Sequence, residues 1–286
     1  MPALSEFAPA KINLYLHVTE SRSDGYHGID SLVAFASVGD QIRVEPAATL
    51  SLVVEGPFAA GLDADPTHNL VWRAAALLAE RLGRVPGAAI TLVKNLPVAS
   101  GIGGGSSDAA ATLRVLSLLW RNDDLASLIE LSAILGADVP ACLVGRPLQI
   151  GGIGEILERA TVLPTLAIAL VNPNIPLSTA SVFRAFRGPF SPPAPLTFTP
   201  IEPVAFARTL AARRNDLTAP AVALVPQIGD VLECLASARG AWLVRMSGSG
   251  ATCFALFASS GEAEAAARQI QAQRPEWWTA SGTLLA

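Results

Sequence analysis

The chain is poor in charge, in cysteine and in long apolar runs. Asp, Glu, Lys and Arg make up only 15% of 286 residues, and the formal net charge is −4. A nucleic-acid surface needs clustered cations, and the only adjacent basic pair is Arg213-Arg214, so no nucleic-acid partner is expected. Cys142, Cys234 and Cys253 are odd in number, far apart and set among apolar neighbours. That pattern suits buried thiols and argues against a disulfide frame or a zinc site. No uncharged apolar run reaches the ~18 residues of a membrane span, and Met1 to Glu6 lacks the basic and apolar regions of a secretory signal. A cytoplasmic enzyme is expected. The 51% of hydrophobic residues, spread along the chain, is ample for one large or two modest domains.

What is present in quantity is glycine at one place. Pro97, Val98, Ala99, Ser100, Gly101, Ile102, Gly103, Gly104, Gly105, Ser106, Ser107 and Asp108 lie between a strand-like run, Ala89 to Val93, and a helix-like run, Ala109 to Trp120. Glycine permits positive φ and close approach of backbone to a ligand, and the unpaired N–H groups at a helix start favour a polyanion. Ser106, Ser107 and Asp108 are good N-cap types. The stretch reads either as a glycine turn before a capped helix or as a phosphate cradle, and the strand-loop-helix context favours the cradle. It is not a Walker loop, since Gly105 is followed by Ser106 and the loop has no lysine. Nor is it a dinucleotide fingerprint: the acidic residues downstream, Asp123 and Asp124, fall in a helix-to-helix turn rather than at a strand end.

Elsewhere the chain reads as mixed α and β. Phe7 to Val18 alternates Ile12, Leu14, Leu16 and Val18 against Lys11, Asn13, Tyr15 and His17, a strand with one apolar face. Pattern alone would put Lys11 and Asn13 on a solvated face. Arg22 to His27 is a polar turn carrying Tyr26 and His27. Val33 to Val44 and Leu50 to Glu55 read as strands, and Asn69 to Leu82 as a helix ended by Gly83 and Pro86. Leu125 to Leu135 has helical spacing with Gly136 as its stop, and Asp138 with Pro140 is a common helix start. Gln149 to Leu157 reads as a tight glycine hairpin. The chain then restarts with a strand at Leu166 to Val171 and a proline-punctuated crossover into a short helix near Phe183. Gly188 to Pro203 is a loop, Pro220 to about Ala238 one apolar helix, and Ala241 to Phe257 strand, glycine turn, strand.

Four of these segments, in order, resemble the motifs of the GHMP kinases: Ala10 to Leu14, Pro97 to Asp108, Gly136 to Pro140, and Met246 to Ala251. The pairing of the first with Asp24-Gly25-Tyr26-His27 further resembles the branch of that family whose acceptor is a cytidine diphosphate-linked methylerythritol. The resemblance covers nearly the whole chain. It implies a two-domain α+β fold, with a ribosomal-S5-like N-terminal domain (1–158) that binds ATP and a ferredoxin-like C-terminal domain (159–286). It also implies phosphoryl transfer from ATP with Mg²⁺, the ATP held by Pro97 to Ser107. Asn69 is either a plain N-cap or a residue near the nucleotide. By the same resemblance Asp138 is the catalytic acid-base group rather than a cap, with Lys11 beside it. Asn13 contacts the substrate, His27 binds the cytosine edge, and Tyr26 and Phe183 sandwich the ring. Thr179 matches a substrate-contacting threonine, although Ala180 replaces the usual following proline, and Ser100 replaces a commoner glycine. Ser107 is the candidate Mg²⁺ ligand. The Met246 to Ala251 turn is implied to pack beside the ATP loop. The rivals are another GHMP kinase, against which Tyr26-His27 and the triple glycine speak, and a nucleotide sensor without catalysis, which would lack the lysine and the acid.

Overall fold

In a computed structural model, residues 3–122, 124–196 and 200–285 are described. Asp123 of the expected interhelical turn and residues 197–199 of the proline-rich loop lie outside them. The N-terminal strand, β1 (Leu4–Ser21), is longer than its alternation suggests, and from Ala8 to Val18 every residue is buried. The solvated face read from pattern is therefore wrong. Lys11 and Asn13 are 5% and 4% exposed, because both faces of β1 are covered. Next come β2 (His27–Pro46), β3 (Ser51–Glu55), α1 (Leu70–Arg81) and β4 (Ala88–Val93).

A second correction concerns the glycine loop. Its helix, α2 (Gly104–Trp120), begins at Gly104 rather than Ala109. The N-cap is Gly103 at φ 62°, so Ser106, Ser107 and Asp108 are helical residues and none caps the helix. α3 (Leu125–Leu135) starts on Asp124, whose carboxylate accepts from the Ser127 N–H at 3.1 Å. α4 (Val139–Val144) follows, then the hairpin of β5 (Leu148–Gly151) and β6 (Ile156–Arg159), as the glycine pattern predicts.

The later chain supplies β7 (Ala167–Asn172), α5 (Thr179–Ala185), α6 (Pro203–Ala211), α7 (Thr218–Leu224) and α8 (Gln227–Ala236). The single helix predicted from Pro220 to Ala238 is two helices, broken at Val225-Pro226, where proline removes an N–H and crowds the preceding turn. β8 (Leu243–Met246) and β9 (Cys253–Phe257) flank the glycine turn as expected. Three elements had no reading in the sequence: α6, α9 (Ser260–Gln273), opened by a Ser259/Glu262 capping box, and β10 (Trp278–Leu285).

Two compact units interleave along the chain. One holds the residues up to Ala10, Gly39–Val98 and Gly103–Gly145. In it β4 lies between β3, parallel, and the end of β2, antiparallel, and α1 and α4 pack on α2. The other holds Lys11–Val38, Ala99–Ile102 and Arg146–Ala286. Its sheet runs β2-β10-β7-β9-β8 and is antiparallel throughout. A core built from Val171, Phe257, Ile228, Leu235, Ile270 and Trp277 sits between that sheet and the helices. All three cysteines are free, Cys142 and Cys253 being buried. No helix among the described residues is long and apolar enough to cross a membrane.

Candidate active site

The start of α2 is built to receive an anion. Its first N–H groups have no acceptor within the helix, no side chain caps them, and no acidic residue stands in the first turn. The positive end of a seventeen-residue helix is thus left uncompensated by the chain itself. Inside that turn the Ser107 hydroxyl is fully buried and has no hydrogen-bond partner. A buried orphan oxygen of this kind suits a cation ligand. Among the described residues no group of three or more His, Cys, Asp or Glu side chains gathers into a metal site. Beside α2, Asn69 caps α1, its Oδ1 accepting from the Val71 N–H at 2.9 Å, and an added Cβ on Gly105 would lie 3.6 Å from Leu70. Asp138 occupies the N-cap position of α4 but makes no capping hydrogen bond. The plain cap reading of that aspartate therefore fails.

Under this turn lies a charge cluster that sequence reasoning missed. The Lys94 ammonium bonds both Asp40 and, at 2.7 Å, Asp108, all three side chains being at most 3% exposed. Asp40 also accepts from the N–H groups of Asn95 (2.5 Å) and Leu96 (2.8 Å). Two carboxyl groups share one cation, and Asp108 Oδ1 has no partner. Burial pushes Asp108 up to about 8, an effect that Asp40 augments and Lys94 does not cancel. Lys94 is held above its ordinary value, because the two carboxyl groups outweigh its own desolvation. The cluster touches the phosphate loop: a Cβ on Gly104 would stand 3.0 Å from Lys94 Nζ.

In the other unit the loop corner Ala99–Ile102 is a junction. The Lys11 N–H donates to Ile102 O at 2.9 Å, the Thr252 N–H to Ser100 O at 3.0 Å, and the Leu177 N–H to Ala99 O at 3.3 Å. The Ser247 hydroxyl donates to Gly101 O at 3.2 Å and accepts from the Asn13 N–H at 3.1 Å. Gly101 has φ 75°, and a Cβ there would come within 2.5 Å of Gly250 O and 2.7 Å of Ser247 O. This glycine is required by the neighbouring turn rather than by a ligand. The expected packing of Met246–Ala251 beside the loop is thereby present in detail. Ser100 sits in a bend without a positive φ, whereas Ala99, at φ 51°, carries the left-handed conformation that glycine would relieve.

The substrate candidates of this unit form a connected series. Asn13 donates to Ser31 Oγ at 2.8 Å while its Oδ1 is buried and unpartnered, an acceptor available to a ligand hydroxyl. Arg245, buried and bonded to Leu14 O at 2.6 Å, fixes β1 next to it. Ser249 in the glycine turn hydrogen-bonds Thr179 at the start of α5, 2.8 Å between hydroxyl oxygens. Phe183 on the same helix faces the His27 ring, centroids 5.5 Å apart and planes inclined by 31°. Phe186 meets that imidazole edge-on at 6.0 Å. Sequence reasoning did not name Phe186, although its i+3 spacing from Phe183 was a usable signal. Tyr26 is 60% exposed at the tip of its turn. Lys11 belongs to this unit and Asp138 to the other.

Comparison with known proteins gives consistent likenesses. Residues 69–146 match the model of the GHMP kinases N terminal domain, and residues 204–276 that of the GHMP kinases C terminal domain. The chain is 51% identical over 286 residues, covering 100% of both chains, to the 4-diphosphocytidyl-2-C-methyl-D-erythritol kinase of Paramagnetospirillum magneticum. It is 48% identical to that of Rhodospirillum rubrum, over 98% of this chain and 92% of the relative. Among solved structures, a 4-(cytidine 5'-diphospho)-2C-methyl-D-erythritol kinase superposes with a TM-score of 0.81 at 34% identity, covering 99% of this chain and 100% of that one. A homoserine kinase from Cytophaga hutchinsonii reaches 0.71 at 17% identity, over 100% of this chain and 95% of that one, a likeness of fold alone.

Proposed function

The chain belongs to the GHMP kinase family, and from its likeness to full-length relatives we infer that it phosphorylates the 2-hydroxyl of 4-diphosphocytidyl-2-C-methyl-D-erythritol with ATP. This is a step of the non-mevalonate route to isoprenoid precursors. One observation carries the reading: the match to relatives of this activity runs over the entire chain at about half identity, so that both units and all four motifs are included. We place the enzyme in the cytoplasm, where its soluble substrates would meet it.

Phosphoryl transfer needs the γ-phosphoryl held in line with the hydroxyl and its charge neutralised. We assign the polyphosphate of ATP to the Pro97–Ser107 loop and the uncapped start of α2, with Asn69 at the neighbouring helix start. Mg²⁺ would be held by the phosphates and the Ser107 hydroxyl, where it would neutralise the developing charge. Asp138 takes the hydroxyl proton as general base, and Lys11 steadies charge on the reacting oxygen. Asn13 orients the methylerythritol through its unpartnered Oδ1, and Thr179 contributes a hydroxyl. His27 reads the cytosine edge, while Tyr26 and Phe183 supply faces for stacking.

The direct test measures ATP-dependent phosphorylation of this substrate beside mevalonate, homoserine and galactose. Turnover of the cytidyl substrate alone is expected, and preference for another alcohol would overturn the assignment. Asp138→Asn then tests the base role, since asparagine keeps the shape of the side chain but cannot accept the proton. A fall in kcat of about a hundredfold or more with an unchanged melting temperature is expected, and near-native kcat would remove the base role.

A further inference from the structure

We propose that Ser249 is a positioning residue for the acceptor substrate, acting through Thr179; the inference rests on the reading of Thr179 as a substrate contact. Thr179 is the first residue of α5 and is exposed, and a helical threonine divides between two χ1 rotamers, so the helix alone does not fix where its hydroxyl points. Its hydroxyl lies 2.8 Å from that of Ser249, which is 6% exposed.

The platform beneath that hydroxyl is rigid. The Gly250 N–H donates to Ser247 O at 3.0 Å, the Ser247 N–H to Thr252 O at 2.9 Å, and Asn215 Nδ2 to both Met246 O and Gly248 O at 2.8 Å. The turn is further pinned against the loop corner by the Thr252 bond to Ser100 and the tight approach of Gly248 and Gly250 to Gly101. Ser249 thus transfers the order of the turn to a side chain on an otherwise open helix end. One proton serves the Ser249–Thr179 bond, so Thr179 keeps either its own proton or its remaining lone pairs for a ligand. Removing Ser249 Oγ frees the threonine to rotate while leaving every backbone bond of the turn in place.

The experiment is a double-mutant cycle of Ser249→Ala and Thr179→Ala, read as KM for the cytidyl substrate, KM for ATP and melting temperature. Losing one hydrogen bond and one fixed rotamer should raise the acceptor KM about three- to tenfold. The KM for ATP and the melting temperature should not move with it, and the double variant should be no worse than Thr179→Ala alone. A parallel rise in the KM for ATP, or additive effects in the double variant, overturns the proposal in favour of a structural role in the turn. If Thr179→Ala itself leaves the acceptor KM unchanged, the substrate reading of Thr179 is what fails, and the inference falls with it.

Discussion

Replacing Asp108 by asparagine tests whether the buried cluster under the phosphate loop carries one proton more than the unfolded chain does. The Asp108 carboxyl, pushed up to about 8 chiefly by burial, faces Lys94 from the end of β4 and Asp40 from β2. In the unfolded chain it ionises near its ordinary 3.8. An acid whose folded value is raised contributes stability that is complete below the unfolded value and is lost as pH rises through the folded one. The window is therefore about pH 4 to 8. Four units at about 1.4 kcal/mol each set a ceiling of about 6 kcal/mol. Reorganisation of the surrounding polar groups returns part of it, leaving a net effect of about 2 kcal/mol. Asparagine has the same shape and stays neutral at every pH. Denaturant unfolding of both proteins from pH 5 to 9 should show their stability difference moving in favour of the variant as pH rises. A difference that stays constant within about 0.3 kcal/mol would refute the raised ionisation, whatever its absolute size.

Three further outcomes follow from the geometry. Gly101→Ala places a Cβ within 2.5 Å of Gly250 O at a left-handed φ, so ATP binding by calorimetry should be lost or weakened at least tenfold; native affinity in a folded variant would show the corner to be dispensable. Asn215→Ala strips the donor from Met246 O and Gly248 O, and a destabilisation of about 2 to 3 kcal/mol is expected in urea unfolding. A loss below about 0.5 kcal/mol would mean that the turn is held without it. His27→Ala should raise the KM of the cytidyl substrate roughly tenfold to a hundredfold while sparing that of ATP, and equal rises would remove it from cytosine recognition.

The candidate site was legible wherever neighbours in sequence are neighbours in space. The glycine loop, the Gly136–Pro140 helix start and the Met246–Ala251 turn each declare themselves within a dozen residues. Contacts across long separations left no such trace. Asp40, Lys94 and Asp108 come from three segments, so Asp108 reads locally as a cap when it is in fact a buried hydrogen-bond partner of Lys94. Lys11 and Asn13 look like a wet face because alternation cannot reveal that a second layer covers it. Gly101 invites a ligand-based explanation, yet what forbids a side chain there is the backbone of a turn far along the chain. β10 was missed for a related reason. Its sequence, with Gly282 in the middle and few β-branched residues, has weak strand character, and the strand exists because β7 and β2 supply its partners.

That last strand bears on how the chain is made. β10 lies between β2 and β7, pairing over six residues with β7 and at Leu284 and Leu285 with β2. During synthesis at some 5 to 20 residues per second, β2 and β7 emerge long before residues 278–285 exist to join them. For that interval each presents an open strand edge that will accept any extended segment offered to it, including one from a neighbouring nascent chain. The final closure spans most of the polypeptide, the kind of distant pairing that folds slowly. A growing chain of this protein is accordingly exposed to misassembly until residues 278–285 have emerged to close the two edges.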